Sequence, residues 1–197
     1  YWLYYLLKFM SGARRQIFVV FAGFIMVEKF GFSVSDITAL FMGTLVVNMI
    51  VAPQLGRAVA YFGERAALIV EYAGLFGIFV FYIGLYLFDW SATVAAALYI
   101  LNNIFFSLAL AIKTYFQKIA DPGDIAPTAA VAFTINHIAA VFLPASLGYL
   151  WLVSPISVFV AAACMALVSL GLSCLIPRHP EPGNETVITR PVPSPAE

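Results

Sequence analysis

Residues Ser11-Gly12-Ala13-Arg14-Arg15-Gln16 place two adjacent arginines in a chain that is almost wholly apolar on both sides of them. The uncharged run that follows, residues 17–27, is too short to cross about 30 Å of hydrocarbon, which requires about 20 helical residues. Joined through the arginines to the aromatic run before them, residues 2–29 form one helix of spanning length. The arginines then lie near its middle, where a charge normally faces a partner or a water-filled cavity.

The composition of the chain is that of a membrane protein. Of its 197 residues, 63% are hydrophobic and 10% are charged, whereas soluble domains average about 25% charged residues. The formal net charge is zero, so nothing indicates a nucleic-acid partner. Two cysteines are too few for a disulfide or metal framework, and we predict neither a metal nor a cofactor.

Six apolar segments of spanning length alternate with short polar turns. The predicted spans are residues 2–29, 36–54, 66–88, 91–117, 125–151 and 155–176. Pro177 ends the last span, and we expect the proline-rich residues 177–197 to form a disordered tail. The predicted fold is an all-α membrane protein with six transmembrane helices.

Lysine and arginine residues collect on one side of the predicted membrane. That side carries Arg57, Arg65, Lys113, Lys118, Arg178 and Arg190, whereas the other side carries only Lys29. The positive-inside rule makes the basic side cytoplasmic. We therefore expect a multi-pass protein of the cell membrane with both termini of this chain in the cytoplasm.

Polar residues inside the spans divide the helices into two groups, because such residues normally face protein or a cavity. Four spans have polar faces, formed by Lys8, Ser11, Gly12 and Arg15 in the first, Thr44 and Asn48 in the second, Tyr99, Asn103, Ser107, Thr114 and Gln117 in the fourth, and Thr134 and His137 in the fifth. The third and sixth spans nearly lack them, which predicts peripheral positions. Glu71, early in the third span, is expected to pair with Arg57 or Arg65 at the cytoplasmic surface.

The turn between the second and third spans carries a degenerate loop motif. Gly56, Gly63 and Arg65 match the pattern Gly-x-x-x-Asp-Arg/Lys-x-Gly-Arg/Lys-Arg/Lys, whereas Ala60, Tyr61 and Glu64 depart from it. With the six spans, their sidedness and the four polar helices, the chain resembles the C-terminal six-helix half of a major facilitator superfamily transporter. Because Ala60 replaces the aspartate of the motif, no gating ion pair built on that aspartate is carried over.

The resemblance implies one lobe of a secondary carrier that moves a small solute by alternating access. An N-terminal six-helix half would precede this chain and complete a site near the bilayer midplane. The lipid bilayer and the small-molecule substrate are the other expected partners. No enzymatic activity is expected, since His137 has no evident serine partner and no carboxylate pair lies inside the spans. A membrane protein that binds or senses a ligand without transporting it stays open as the alternative.

The candidate solute-binding residues are Arg14, Arg15, Gln16, Asn48, Asn102, Asn103, Asn136 and His137. A guanidinium group presents paired donors to a carboxylate or phosphate, so an anionic solute is favoured. Arg15 is preferred over Arg14 because Lys8, Ser11 and Gly12 share its face. His137 is either a proton carrier or a packing residue, and the asparagines either bind solute or bridge helices. If the first helix instead begins near Gln16, the arginines mark the cytoplasmic surface.

Overall fold

The computed structural model describes residues 1–188, which form six long helices and no β-strand. All six are long and apolar enough to cross a membrane: Trp2–Glu28, Val34–Phe62, Glu64–Leu87, Ala92–Ile119, Pro122–Val153 and Pro155–Cys174. The prediction of an all-α chain with six helices of spanning length is therefore confirmed. These helices are numbered below in chain order, from the first to the sixth.

The second helix is longer than predicted, because it continues past Pro53 to Phe62 instead of ending near residue 54. It begins with a capping box, in which the Ser33 hydroxyl accepts from the Asp36 N–H at 3.2 Å and the Asp36 carboxylate accepts from the Ser33 N–H at 2.9 Å. Gly63 ends it with a φ of 85°, a backbone conformation that favours glycine. The turn to the third helix is therefore confined to Gly63, and the predicted loop around Gly56 is helical.

The contacts among the first three helices and the last three follow a repeated pattern. The third and sixth helices pack on each other, where the Tyr82 and Phe159 rings stack at a centroid distance of 5.0 Å. The first helix packs on the fifth and sixth, and the fourth packs on the second and third. Exchanging the first three helices with the last three reproduces these contacts, so the described bundle consists of two similarly arranged three-helix units.

Matching features recur at corresponding positions of the two units. The second helix and the α-helical part of the fifth, Ile125–Val153, each have 29 residues, and both contain one internal proline, Pro53 or Pro144, as residue 20. The first and fourth helices are each interrupted after 16 α-helical residues. The first continues as a π-helical segment, Phe18–Ala22, and the fourth tightens at residues 108–109.

Polar contacts join the helices at both ends of the bundle. At one end, the Tyr1 hydroxyl donates to Asp124 at 2.9 Å, and Lys118 pairs with Glu64 at 2.7 Å. At the other end, Lys29 pairs with Asp89 at 2.8 Å, and this is where the first helix ends and the fourth begins. The contacts at each end fix neighbouring helices relative to one another.

The segment after the sixth helix turns back onto the bundle, whereas the sequence predicts disorder from residue 177. The Val187 N–H donates to the Leu175 carbonyl at 2.9 Å, and the Tyr115 hydroxyl donates to the Glu185 carbonyl at 2.5 Å. The returning backbone thus supplies a hydrogen-bond partner for the hydroxyl group of the buried Tyr115. Residues 189–197, including Arg190, lie outside the described residues, so the expected disorder there stays a prediction.

Gly74 and Gly77, one turn apart in the third helix, differ in the space around them. A Cβ atom at Gly74 would overlap the ring of Phe105 in the fourth helix, whereas a Cβ atom at Gly77 would meet no atom within 4 Å. We expect Gly74→Val to reduce the free energy of unfolding by about 1–3 kcal/mol, because the Phe105 ring must shift from its packed position. Thermal melting of the purified protein measures this effect. Gly77→Val is the control, and equal losses for the two variants would contradict the prediction.

Candidate functional site

A cavity of about 550 Å³ lies between the first, fourth and fifth helices. Its wall is formed by Lys8, Ser11, Gly12, Arg15, Gln16, Val19, Phe106, Ala109, Phe133, Asn136, His137 and Ala140. The polar groups of this wall come from the first and fifth helices, and the third and sixth helices contribute none of its residues. We call this space the central cavity.

Arg15 occupies the middle of the first helix, with thirteen residues on either side of it in Trp2–Glu28. Its exposed side chain borders the central cavity on the same face as Lys8, Ser11 and Gly12, which is the face that their spacing predicts. Within the described residues, neither Lys8 nor Arg15 forms an ion pair. The helix runs through both arginines, so they do not mark a helix start near Gln16.

The fifth helix approaches the first closely at Gly12. A Cβ atom at Gly12 would overlap Oδ1 of Asn136, so the missing side chain leaves room for that amide. Beside it, the ring of His137 contacts the ring of Phe133 at a centroid distance of 4.0 Å. His137 Nδ1 lies 2.9 Å from the Phe133 carbonyl oxygen and donates to it when protonated. Nε2 of His137 is then the ring nitrogen that can exchange a proton.

Arg14 does not border the central cavity and has no exposed surface. Its Nε donates to the Met10 carbonyl at 3.1 Å, and its guanidinium carbon lies 4.3 Å from the centre of the Tyr72 ring. Its Nη2 lies 4.0 Å from Oε1 of Glu71, which is equally buried. The structure therefore separates Arg14 from Arg15, because adjacent helical residues point about 100° apart.

Glu71 has a different partner from the one that the sequence predicts. Arg57 or Arg65 is expected beside it at the surface, but Glu71 faces Arg14 inside the bundle. The third helix begins at Glu64, so Glu71 lies about two turns into it. A separation of 4.0 Å is too long for a hydrogen bond, and both carboxylate oxygens lack a hydrogen-bond partner within the described residues. The attraction between Glu71 and Arg14 is therefore coulombic.

The predicted asparagines of the second and fourth helices lie outside the wall of the central cavity. The Ser107 hydroxyl donates to Oδ1 of Asn48 at 3.4 Å, which joins the fourth helix to the second. Asn103 donates to the Tyr99 carbonyl at 2.9 Å, whereas the buried amide of Asn102 has no hydrogen-bond partner within the described residues. Of the predicted solute-binding residues, those that border the cavity are Arg15, Gln16, Asn136 and His137.

The fourth helix borders the cavity with different residues from those that its polar pattern predicts. The sequence predicts one straight polar face from Tyr99 to Gln117, but the helix tightens at residues 108–109, where N–H groups bond to carbonyls three residues back. This change of pitch alters which side chains face the fifth helix. Phe106 and Ala109 border the cavity instead. Their i, i+3 spacing is the available sequence signal, and without a polar group it indicates only packing.

The loop-motif residues lie at the helix ends around Gly63, apart from the central cavity. Gly56 is inside the second helix, and Arg65 is in the first turn of the third. Glu64, where the motif carries a basic residue, pairs with Lys118 at 2.7 Å. The salt bridge of Glu64 with Lys118 therefore joins the start of the third helix to the end of the fourth.

Comparisons of the chain with protein-family models, with curated proteins and with solved structures found no match.

The buried Arg14–Glu71 pair predicts a specific loss of stability. Glu71→Gln leaves the Arg14 charge buried without its counter-charge, and we expect the free energy of unfolding to fall by about 3–5 kcal/mol. The double variant Arg14→Met/Glu71→Leu is expected to recover most of this loss, because no buried charge remains. Thermal melting of the purified protein measures both effects, with Glu181→Gln as an exposed control. An unchanged melting temperature for Glu71→Gln would contradict the prediction.

Proposed function

We propose that this chain is one half of a secondary active transporter of the major facilitator type, and that it moves a small anionic solute by alternating access. The observation that carries the proposal is the position of the two helix interruptions. Val19 lies in the π-helical segment of the first helix, Ala109 lies in the tightened turn of the fourth, and both border the central cavity. Interrupted helices at corresponding positions of two repeats are the best structural indication of a transporter binding site.

The two three-helix units support the same proposal. Three successive crossings reverse the direction of the chain, so the second unit runs through the membrane opposite to the first. Many transporters consist of such inverted repeats, and each six-helix half of a major facilitator transporter is made of two. The matched prolines, Pro53 and Pro144, and the matched helix contacts are what this architecture predicts.

The charges of the cavity wall support an anionic solute. Lys8 and Arg15 border the cavity, and the wall contains no aspartate or glutamate. An unpaired cation at this depth in a membrane is unfavourable unless water or an anion compensates it. A bound carboxylate or phosphate provides that compensation and accepts paired hydrogen bonds from a guanidinium group.

The proposed orientation follows from the basic side chains at the ends of the bundle. Arg57, Arg65, Lys118 and Arg178 lie at or beyond helix ends on the side where Tyr1 begins the first helix, whereas Lys29 lies at the opposite end. By the positive-inside rule, the side with Tyr1 is cytoplasmic. A second six-helix half would face the central cavity, and the complete carrier is the species that transports.

Arg15→Lys tests the proposed solute contact. Lysine keeps the charge but loses the planar pair of donors, so we expect uptake into proteoliposomes by the complete carrier to fall about tenfold or more at unchanged expression. Arg57→Lys, at an exposed position outside the cavity, is the matched control. Unchanged uptake by Arg15→Lys would exclude the contact. Solute binding without uptake by the unmodified protein would favour the sensor alternative.

His137→Gln tests proton coupling at the cavity. His137 borders the same cavity as Lys8 and Arg15, and its Nε2 is the candidate proton-exchanging atom. We expect the variant to flatten the dependence of uptake on pH, because glutamine cannot carry a proton. Thr134→Val, one turn earlier on the same helix, is the control. A pH profile equal to that of the unmodified carrier would assign His137 to packing.

A further inference from the structure

A second cavity of about 230 Å³ adjoins the central cavity on the side of the chain start. The two cavities share Lys8, Phe133 and Asn136 in their walls. The second cavity adds Lys113 and Gln117 from the fourth helix, which lie closer to the end of that helix than the central-cavity residue Ala109 does. The joined cavities therefore extend along the first helix from the middle of the bundle towards one end.

The joined cavities contain cations without acidic partners. Lys8, Arg15 and Lys113 border them, and no aspartate or glutamate does. Within the described residues, none of these three cations forms an ion pair. Arg14, Lys29 and Lys118 have acidic partners, namely Glu71, Asp89 and Glu64, whereas Arg57 and Arg65 near the turn at Gly63 have none within the described residues. Arg57 and Arg65 border neither cavity, so Lys8, Arg15 and Lys113 are the cations whose counter-charge a solute in the joined cavities can supply.

The three cations form two positively charged centres, which are separated along the axis of the first helix. Lys8 and Arg15 are seven residues apart, which is about two helical turns or about 10 Å of rise. Lys8 and Lys113 both border the second cavity and interact electrostatically, so we treat their ammonium groups as one centre. Arg15 forms the other centre beside His137. Phe133 borders both cavities and offers an apolar ring to each of them.

We propose that the joined cavities bind a small organic dianion, with one negative group at Lys8 and Lys113 and the other at Arg15. The apolar linker of the solute lies against Phe133. A solute with a single negative group would leave one centre uncompensated, which is unfavourable inside a membrane. This proposal rests on the proposed function for the transport of that solute, but its binding can be measured separately.

Binding to the purified intact protein tests the proposal by calorimetry. The probes are dicarboxylates from malonate to adipate, monocarboxylates of matched length, and inorganic phosphate as a dianion with one charged centre. We expect the best dicarboxylate to bind at least tenfold more tightly than its matched monocarboxylate and than phosphate. Equal affinity for the matched monocarboxylate would overturn the proposal. Tighter binding of phosphate would replace the two-centre site by a single phosphate site.

Lys113→Gln tests which cations hold the second negative group. We expect the preference for dicarboxylate over monocarboxylate to fall about tenfold in this variant, and Lys113→Arg to retain it. Arg57→Gln, whose side chain lies outside both cavities, is the control. An unchanged preference in Lys113→Gln would overturn the two-centre assignment. A melting curve establishes that each variant is folded.

Uptake into proteoliposomes separates this inference from the proposed function. Dicarboxylate binding that depends on Lys113, without uptake, would leave the inference standing and contradict the transporter. Uptake of another solute class, without dicarboxylate binding, would leave the transporter standing and contradict the inference.

Discussion

Two adjacent arginines at the centre of an apolar helix constrain the whole bundle, because their side chains point about 100° apart. Each charge needs its own compensation inside the membrane. Arg14 has it in Glu71 of the third helix, at 4.0 Å with both side chains fully buried. Arg15 faces the central cavity instead. The first helix must therefore lie between a charged partner on one side and a polar space on the other, which sets its rotation about its own axis.

The central cavity lies where the two three-helix units meet. The first helix belongs to one unit, and the fourth and fifth belong to the other. Each unit contributes one irregular helical segment to the cavity wall. Val19 lies in the segment from the first helix and Ala109 in the segment from the fourth, and the helical hydrogen-bond pattern changes at both. Irregular backbone at membrane depth is tolerated where it is covered by protein or lines a cavity. The central cavity therefore results from the packing of the two units on each other and not from the shape of any single helix.

Local spacing predicts the fold and the first-helix face well. The six spans follow from apolar runs and turns, and the Lys8-to-Arg15 face follows from helical periodicity. Pairings between distant helices are not encoded in such spacing, so the sequence predicts Arg57 or Arg65 as the partner of Glu71, whereas the structure has Arg14. Local rules also stop a helix at Pro53, whereas the second helix continues through this proline to Phe62. The hydrogen bond from Ser107 to Asn48 likewise joins two helices whose contact no local spacing predicts.

The proline within the fifth helix has a consequence for the chemistry of the cavity wall. Pro144 has no N–H, so the carbonyl of Ala140 lacks the donor that a regular helix would provide four residues later. Ala140 borders the central cavity. An unpaired backbone acceptor is unfavourable in an apolar environment, and here it lies in a wall whose charged side chains are all cationic. The Ala140 carbonyl is therefore a backbone acceptor that a hydroxyl group or a water molecule can satisfy.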